Sequence, residues 1–307
     1  MGRVKESYAF ERELVNMHRK LYEIEPDAHR ETFGSALLSY VDWLVFADRV
    51  PEACDAFLEV VELHRELFES NRYGHHERFT GLLDRYFSLL TDSGEIRAAA
   101  DVAKEILSTY HDLWKEDRSV YFNQVRNVVA KYDGALNAAG YKYKAPNILV
   151  SVHRARYQVA PGMKNARELT ESLATYANRL DEAGRLQDAS DAASELVGIL
   201  QKHPLPPRSA EAMGRTEQLH SCSFHAVKAQ DYEQALNIAE LAMQSAQDVD
   251  ETDESSAWVQ RWRPKTMRHY GDIKQLVRRQ KHTADSLKLR LTYRDNTQVG
   301  ENSSLPR

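Results

Sequence analysis

The stretch LATYANRLDEAGRLQDASDAASEL at residues 173–196 carries one complete copy of the pattern that decides the fold. Tyr176 and Leu180 are four residues apart, so they lie on one face of an α-helix. Gly184 then interrupts the helical pattern, as expected where a helix ends in a left-handed residue. Ala189 follows within a second helical segment. The stretch therefore predicts two helices joined by a tight turn.

An apolar pattern of the same kind recurs along the chain at offsets of 44 to 46 residues. Its members occupy positions i, i+4, i+7 and i+11, which form one face of a helix, and we call them the apolar ladder. In the first four copies every position is apolar, whereas the fifth copy begins with arginine and is weaker. The ladder consists of Phe33, Leu37, Tyr40 and Leu44; Phe79, Leu83, Tyr86 and Leu90; Val125, Val129, Tyr132 and Leu136; Leu169, Leu173, Tyr176 and Leu180; and Arg215, Leu219, Cys222 and Ala226.

A small residue marks the second helix of each copy, as close packing of two helix backbones requires. This alanine column consists of Ala53, Ala99, Ala145, Ala189, Ala235 and Ala284. Five residues before the first five of these alanines stand the turn residues Asp48, Gly94, Gly140, Gly184 and Gln230. Because glutamine tolerates the left-handed conformation poorly, we predict that the turn at Gln230 differs in shape from the others.

These patterns predict an all-α fold, a right-handed α-solenoid of about six helical hairpins with a repeat of about 46 residues. The chain has 13 glycines and 9 prolines in 307 residues, which favours long helices over a fold with many turns. We expect one repeat domain at residues 1–294 and a disordered tail at residues 295–307. Pro264 is expected to begin or interrupt the first helix of the last hairpin, whose second helix would carry Ala284.

The recurring apolar, glycine and alanine positions resemble those of tetratricopeptide-type (TPR-like) helical repeats, most clearly at 173–196 and in DYEQALNIAELA at 231–242. The long spacing is similar to that of kinesin-light-chain-like repeats rather than to the form of roughly 34 residues. HEAT-like or other α-solenoid pairs are the alternative. The resemblance implies a scaffold or adaptor that binds a protein or peptide in a concave groove lined by the first helices, and it implies no catalysis.

First-helix residues next to the Tyr positions of the ladder are expected to line this groove, because they turn away from the partner helix. Two residues one turn earlier join the set. The candidate partner-binding residues are Asp42, Arg85, Ser88, Asn127, Lys131, Thr175, Asn178, Gln218 and Ser221. An ordinary solvated helix surface is the alternative interpretation. We do not expect the carboxylate clamp of chaperone-binding TPR domains, since consecutive copies lack its combination of Lys, Asn and Arg.

Reactive chemistry is not expected, because the chain has no phosphate-binding glycine loop and no HExxH or GxSxG motif. His220, Cys222 and His225 are close in sequence. On a helix, however, Cys222 points about 200° away from His220, so one metal ion cannot readily collect all three. We therefore predict no catalytic residue, no metal and no cofactor. The ladder tyrosines are expected to be core residues whose hydroxyls bond a neighbouring repeat.

The segment from Trp258 to Arg294 is strongly basic, with eleven Lys or Arg and two acidic residues in a chain of net charge −5. The candidate anionic-partner patch consists of Arg261, Arg263, Lys265, Arg268, Arg278 and Arg279. Three interpretations are open: a polar cap on the repeats, a surface for an acidic protein segment, and a surface for nucleic acid or an anionic membrane.

Two cysteines far apart in sequence and the lack of a signal-peptide core are typical of a cytoplasmic protein, with a nuclear one as the alternative. No apolar run is long enough to span a membrane. Near the start, Leu14, Met17 and Leu21 form an apolar side that would want an upstream neighbour. This suggests a second hypothesis, that the chain is the sensor or regulatory arm of a larger switch-type NTPase assembly. The sequence leaves the partner and the oligomeric state open.

Overall fold

The computed structural model describes residues 2–203, 210–247, 249 and 256–301, which form helices joined by short turns and contain no strand. The helices are α1 (Gly2–Ile24), α2 (Pro26–Phe46), α3 (Val50–Ser70), α4 (Arg72–Asp92), α5 (Ile96–Glu116), α6 (Arg118–Ala138), α7 (Lys144–Val159), α8 (Met163–Glu182), α9 (Leu186–Lys202), α10 (Ala210–Lys228), α11 (Tyr232–Gln247) and α12 (Ser256–Glu301).

These helices belong to two compact units, Met1–Leu149 and Val150–Arg307, whose boundary falls within α7. In the first unit each helix from α1 to α6 packs against the next one in the chain. In the second unit α8 to α12 do the same, and α10 also contacts α8 and α12. The all-α class of repeated helical hairpins is therefore confirmed.

Local sequence signals set where the first helices begin. Pro26 occupies the first turn of α2, where its missing N–H costs nothing because that group has no partner within the helix. Asn71 precedes α4, and its side-chain oxygen accepts a hydrogen bond of 3.0 Å from the backbone N–H of Gly74. Asp117 caps α6 in the same way, accepting from the N–H of Val120 at 3.2 Å.

The apolar ladder forms the core between the helices. Its first, second and fourth positions are buried throughout α2, α4, α6 and α8, and Leu219, Cys222 and Ala226 are buried in α10. At the third position Tyr86 and Tyr132 are buried, whereas two other tyrosines are half-buried. The expectation that these tyrosines are core residues is thus met fully in α4 and α6.

Every described member of the alanine column is buried, with at most 2% of its surface exposed. A larger side chain at these positions would enter the space of the neighbouring helix, since protein interiors leave no room for additional atoms. Ala284 lies outside the residues whose side chains are described.

The five predicted turn residues all adopt positive φ, from 57° at Asp48 to 89° at Gly140. In each turn the N–H after the left-handed residue donates to the carbonyl of the last ladder residue, as Arg185 does to Leu180 at 2.9 Å. The turn at Gln230 has the same bonds, with Asp231 donating to Ala226 at 2.9 Å. The predicted difference in shape is therefore wrong, because the paired backbone hydrogen bonds hold glutamine in a conformation that it disfavours.

The last repeat differs from the prediction, because α12 is one continuous helix rather than a hairpin. Pro264 lies inside it and is exposed, so the carbonyl that its missing N–H would have bonded can face water. Helix α12 runs to Glu301, past residue 295, where we expected a disordered tail to begin. Residues 302–307 of that expected tail lie outside the described residues.

Candidate functional site

The sequence-predicted partner-binding residues lie on the accessible side of the first helices. Seven of the nine are exposed, and Gln218 and Ser221 of α10 are half-buried. Several of them, however, bond to each other or to residues of the adjacent first helix.

In the first unit, cross-helix ion pairs join these residues. Arg85 of α4 pairs with Asp42 of α2, so two candidate residues bind each other. Lys131 of α6 pairs with Asp84 of α4, and the Tyr132 hydroxyl donates to the same carboxylate at 2.5 Å. Burial alone would raise the pKa of Asp84, but the hydrogen bonds from Lys131 and Tyr132 together lower it below its ordinary value. The bond from Tyr132 is the contact to a neighbouring repeat expected from the sequence.

In the second unit, α8 and α10 are joined in a similar manner. Asn178 accepts a hydrogen bond from the Ser221 hydroxyl at 3.4 Å and from the His225 ring at 3.0 Å. Lys228 pairs with Asp181 farther along the same two helices. The candidate residues Asn178 and Ser221 are therefore in contact and join α8 to α10.

A cleft of about 480 Å³ lies toward the beginning of α8 and α10. Its walls come from α8, from the end of α9 and from the start of α10. Ile199 and Leu200 give it an apolar side, and Thr170 and the candidate residue Gln218 add polar groups. Mostly apolar concave sites with a few polar groups are typical of ligand-binding pockets.

The charge of the cleft is predominantly positive. Lys164, Arg167 and Arg215 line it together with one carboxylate, Glu171, which pairs with Arg167 at 3.0 Å. Gly214 also lines the cleft, and a Cβ built at that position meets only open space. Gln218 was predicted from the sequence but the cleft was not, because the cleft depends on the distance of the end of α9 from α8 and α10.

A second set of cross-repeat contacts, which the sequence analysis also missed, lies on the second helices. An arginine of one second helix donates two parallel hydrogen bonds to a glutamate of the next, a geometry that fixes orientation as well as distance. These pairs are Arg19–Glu59, Arg65–Glu105 and Arg154–Glu195. An arginine followed by a glutamate 40 or 41 residues later, recurring through the chain, is the signal that could have revealed them.

The candidate anionic-partner patch divides into two parts in the structure. Arg263 differs from the expectation, because its guanidinium donates to the backbone carbonyls of Ala246 and Val249, at 3.2 and 2.7 Å. It therefore caps the end of α11 instead of facing outward. The other five members, Arg261, Lys265, Arg268, Arg278 and Arg279, are exposed.

Buried histidines fill the contact between α10 and α12. The rings of His220 and His269 lie 4.5 Å apart, and His269 stacks on Phe224 at 4.0 Å. The Ser223 hydroxyl lies 2.6 Å from Nε2 of His269, whereas neither ring nitrogen of His220 has a hydrogen-bond partner within the described ranges. Burial, together with the neighbouring His269 and Lys265, lowers the pKa of His220 to about 4. These rings are packing elements in their neutral form.

No group of three or more His, Cys, Asp or Glu side chains that could hold a metal ion occurs among the described residues. Cys54 and Cys222 are both free and buried. Burial raises the pKa of Cys222 to about 12, so its thiol is not poised as a nucleophile. Within the described ranges, no helix is long and apolar enough to cross a membrane.

The buried alanine column, the left-handed turn and the buried ladder together give the described part of the chain the fold of a TPR-like helical repeat. No protein-family profile and no curated protein matches its sequence.

Among solved structures, the chain is similar to BtubC (BKLC) from P. vanneervenii, with 12% identity and a TM-score of 0.33 over 81% of this chain and 94% of that one. It is also similar to a circular tandem repeat protein with a novel repeat topology, at 13% identity and a TM-score of 0.37 over 91% of this chain and 74% of that one. A third similar structure is the TPR2AB-domain:pHSP90-complex of yeast Sti1, at 12% identity and a TM-score of 0.24 over 87% and 99% of the two chains.

Proposed function

We propose that this chain is a non-enzymatic scaffold or adaptor that binds a segment of another protein along the first helices of its second unit. The observation that carries the proposal is the cleft between α8, the end of α9 and α10, whose lining residue Gln218 lies one helical turn before Ser221, the contact of Asn178. A concave apolar site joined to a row of polar groups suits an extended peptide better than a small molecule.

The chemistry of the cleft indicates the kind of segment that it would accept. Lys164 and Arg215 are cations beside the apolar wall of Ile199 and Leu200. A carboxylate that follows an aliphatic or aromatic side chain would satisfy both parts of the site, since apolar burial gives affinity and the cations give orientation. We therefore propose an acidic and apolar peptide segment as the ligand.

The first unit offers a less suitable surface for the same role. Its candidate cations Arg85 and Lys131 are already paired with Asp42 and Asp84. Reversing either charge would disturb contacts between helices, so loss of binding in such a variant would not identify a binding site. Asn127 and Ser88 are exposed on these helices, and a role in binding stays a prediction for them.

The proposal can be tested with a displayed library of random peptides selected against the whole chain. We expect the enriched peptides to carry Asp or Glu near an aliphatic or aromatic residue. Gly214→Leu should fill the cleft, and we expect it to weaken the selected peptides at least about tenfold, which corresponds to roughly 1.4 kcal/mol. Gly134→Leu is the matched control, because Gly134 is also an exposed helical glycine where an added Cβ would meet only open space, but it lies on α6.

Both substitutions replace a helical glycine by a better helix former, so neither should unfold the chain. Peptides that bind the Gly214→Leu variant as tightly as the original chain would contradict the proposal. Peptides that lose binding only with Gly134→Leu would locate the site on the first unit instead.

A second candidate function is the binding of an anionic partner by α12. Between Trp258 and Lys281 the helix carries eight basic residues and one acidic residue, and most of the basic ones are exposed. Fluorescence anisotropy with labelled double-stranded DNA should then show an affinity that falls steeply with salt. Arg268→Glu with Arg278→Glu should abolish this binding, and binding that is insensitive to both salt and the substitutions would exclude this role.

A further inference from the structure

The outer side of α1 carries a row of apolar side chains that are exposed to solvent, except for Leu14, which is half-buried. Phe10, Met17 and Ile24 are 64%, 52% and 77% exposed. The opposite side of the same helix packs into the first unit, where Val15 is 3% exposed. The apolar stripe on the outer side, which we call the α1 stripe, consists of Phe10, Leu14, Met17, Leu21 and Ile24.

The spacing of the α1 stripe is that of a helix-pairing seam. Its members follow one another at intervals of four, three, four and three residues. This alternation places them at the a and d positions of a heptad, with Leu14 and Leu21 at a and Met17 at d. Such a seam is narrow and suited to a single partner helix, whereas a broad apolar face would suit a packed core.

The charges beside the α1 stripe differ between its two edges. On one edge Glu13 and Lys20 occupy successive g positions, and both are exposed. On the other edge His18 is half-buried against the rest of the unit, and the neighbouring Arg19 is bonded to Glu59. Only the edge with Glu13 and Lys20 therefore presents freely accessible charges of both signs.

We propose that the α1 stripe binds the α1 stripe of a second copy of this chain, with the two helices antiparallel. In an antiparallel pair the g positions of the two helices face each other, so Glu13 lies beside Lys20 of the second copy, and two-fold symmetry repeats the contact. The same register places Leu14 against Met17 of the second copy, and Phe10 against its Leu21. A parallel pair would instead direct Glu13 to the half-buried His18 of the second copy.

The size of this contact sets its strength. Two helices that meet over about two heptads bury less surface than the roughly 1,600 Å² of a standard protein interface. The dimer should therefore dissociate in the micromolar range and be visible as a concentration-dependent equilibrium. The cleft on α8 to α10 takes no part in it, so the inference is independent of the proposed binding function.

Analytical ultracentrifugation of the whole chain from about 1 to about 200 μM tests the dimer, since this range brackets a micromolar dissociation constant. We expect a shift from monomer to dimer with rising concentration. Leu21→Glu should weaken it by more than about thirtyfold, because symmetry buries two carboxylates in the seam. Phe46→Glu is the matched control, since Phe46 is an exposed apolar residue of α2 outside the α1 stripe, and it should leave the dimer unchanged.

The antiparallel arrangement is tested with charge reversals. Glu13→Lys and Lys20→Glu should each weaken the dimer about three- to tenfold, because each places like charges together twice. An equimolar mixture of the two variants should form a heterodimer of restored affinity, since every Lys then faces a Glu. A chain that is monomeric over the whole range, a dimer unaffected by Leu21→Glu, or a mixture without restored affinity would overturn the proposal.

Discussion

The third position of the apolar ladder is filled by different chemistry in α6 of the first unit and α10 of the second. In α6 it is Tyr132, whose ring is buried and whose hydroxyl reaches Asp84 of the preceding first helix. In α10 it is Cys222, which is equally buried but too short to reach across. There the rings of His220 and His269 pack against each other between α10 and α12. The same arrangement of helices therefore forms around two kinds of core. The core at α10 contains histidines, which can take up protons.

The largest expected effect tests whether the ladder itself contributes equally in both regions. Leu83 and Leu219 occupy its second position in α4 and α10, and each is at most 1% exposed. Leu83→Ala and Leu219→Ala should each lower the free energy of unfolding by about 3 kcal/mol, because each leaves a cavity. Chemical denaturation followed by circular dichroism measures both values. Leu58→Ala, at a position 41% exposed, is the control and should cost less than about 1 kcal/mol.

The next effect concerns how the stability of the two units depends on pH. Burial lowers the pKa values of His220, His225 and His269, whereas an unfolded histidine titrates near 6.5. Below pH 6.5 the unfolded chain therefore binds more protons than the folded one. The contribution of these histidines to the stability of the second unit is fully present above that pH and is lost toward pH 4, with about 3 kcal/mol lost through His220 alone.

Tryptophan fluorescence can follow this acid loss in the second unit. In a Trp43→Phe/Trp114→Phe variant only Trp258 and Trp262 remain, so the fluorescence follows the second unit. Adding His220→Phe should flatten the dependence of unfolding free energy on pH between 6.5 and 4. The first unit has the buried His64 and the half-buried His111, whose pKa values are also lowered, so a smaller acid loss is expected there. An unchanged slope in the His220→Phe variant would contradict this account.

A smaller effect isolates the hydroxyl that distinguishes the tyrosine core. Tyr132→Phe removes a hydrogen bond to the Asp84 carboxylate and should cost about 1.5 kcal/mol, because Lys131 continues to pair with that group. Tyr86→Phe is the matched control at the same ladder position, where Asp84 is not involved. Equal costs for the two substitutions would show that the hydroxyl of Tyr132 contributes nothing particular.

The smallest expected effect concerns the turns that end the first helices. Gln230→Gly should stabilise the chain by about 0.5–1 kcal/mol, because glycine adopts positive φ without steric cost. Gly184→Gln makes the reverse change in α8 and should cost about 1 kcal/mol. Thermal denaturation of the two variants gives the comparison. The two substitutions should change the stability of the chain in opposite directions. A Gln230→Gly variant that is less stable than the original chain would contradict this explanation.

The helices, the alanine column and the turns could be predicted because their signals are local. Periodicity at 3.6 residues and a glycine such as Gly184 act within one hairpin, so they appear in the sequence at short range. The hairpin predicted at α12 was wrong because Ala284 was placed in a separate second helix, and Pro264 was expected to begin or interrupt the first helix of that hairpin. A proline removes one backbone hydrogen bond, and an exposed carbonyl can bond water instead, so packing against α11 is enough to keep the helix continuous.

Less of the candidate site than of the fold could be predicted from the sequence. The register of the first helices located Asn178 and Ser221 on one face, and they do contact each other. The pairing of Arg85 with Asp42, and the cleft below Gln218, depend on distances between helices that no local pattern encodes. Recurring offsets between oppositely charged residues are the one trace that such contacts leave in the sequence.

The bonds between successive second helices also determine how the chain should respond to force. Within a unit, Arg19 holds α1 to α3 and Arg65 holds α3 to α5, so tension passes from each hairpin only to the next. A unit pulled by its ends should therefore lengthen stepwise. Each step would release about 46 residues, or roughly 150 Å of extended chain. The hairpins at the ends of the unit should unfold before those in its middle.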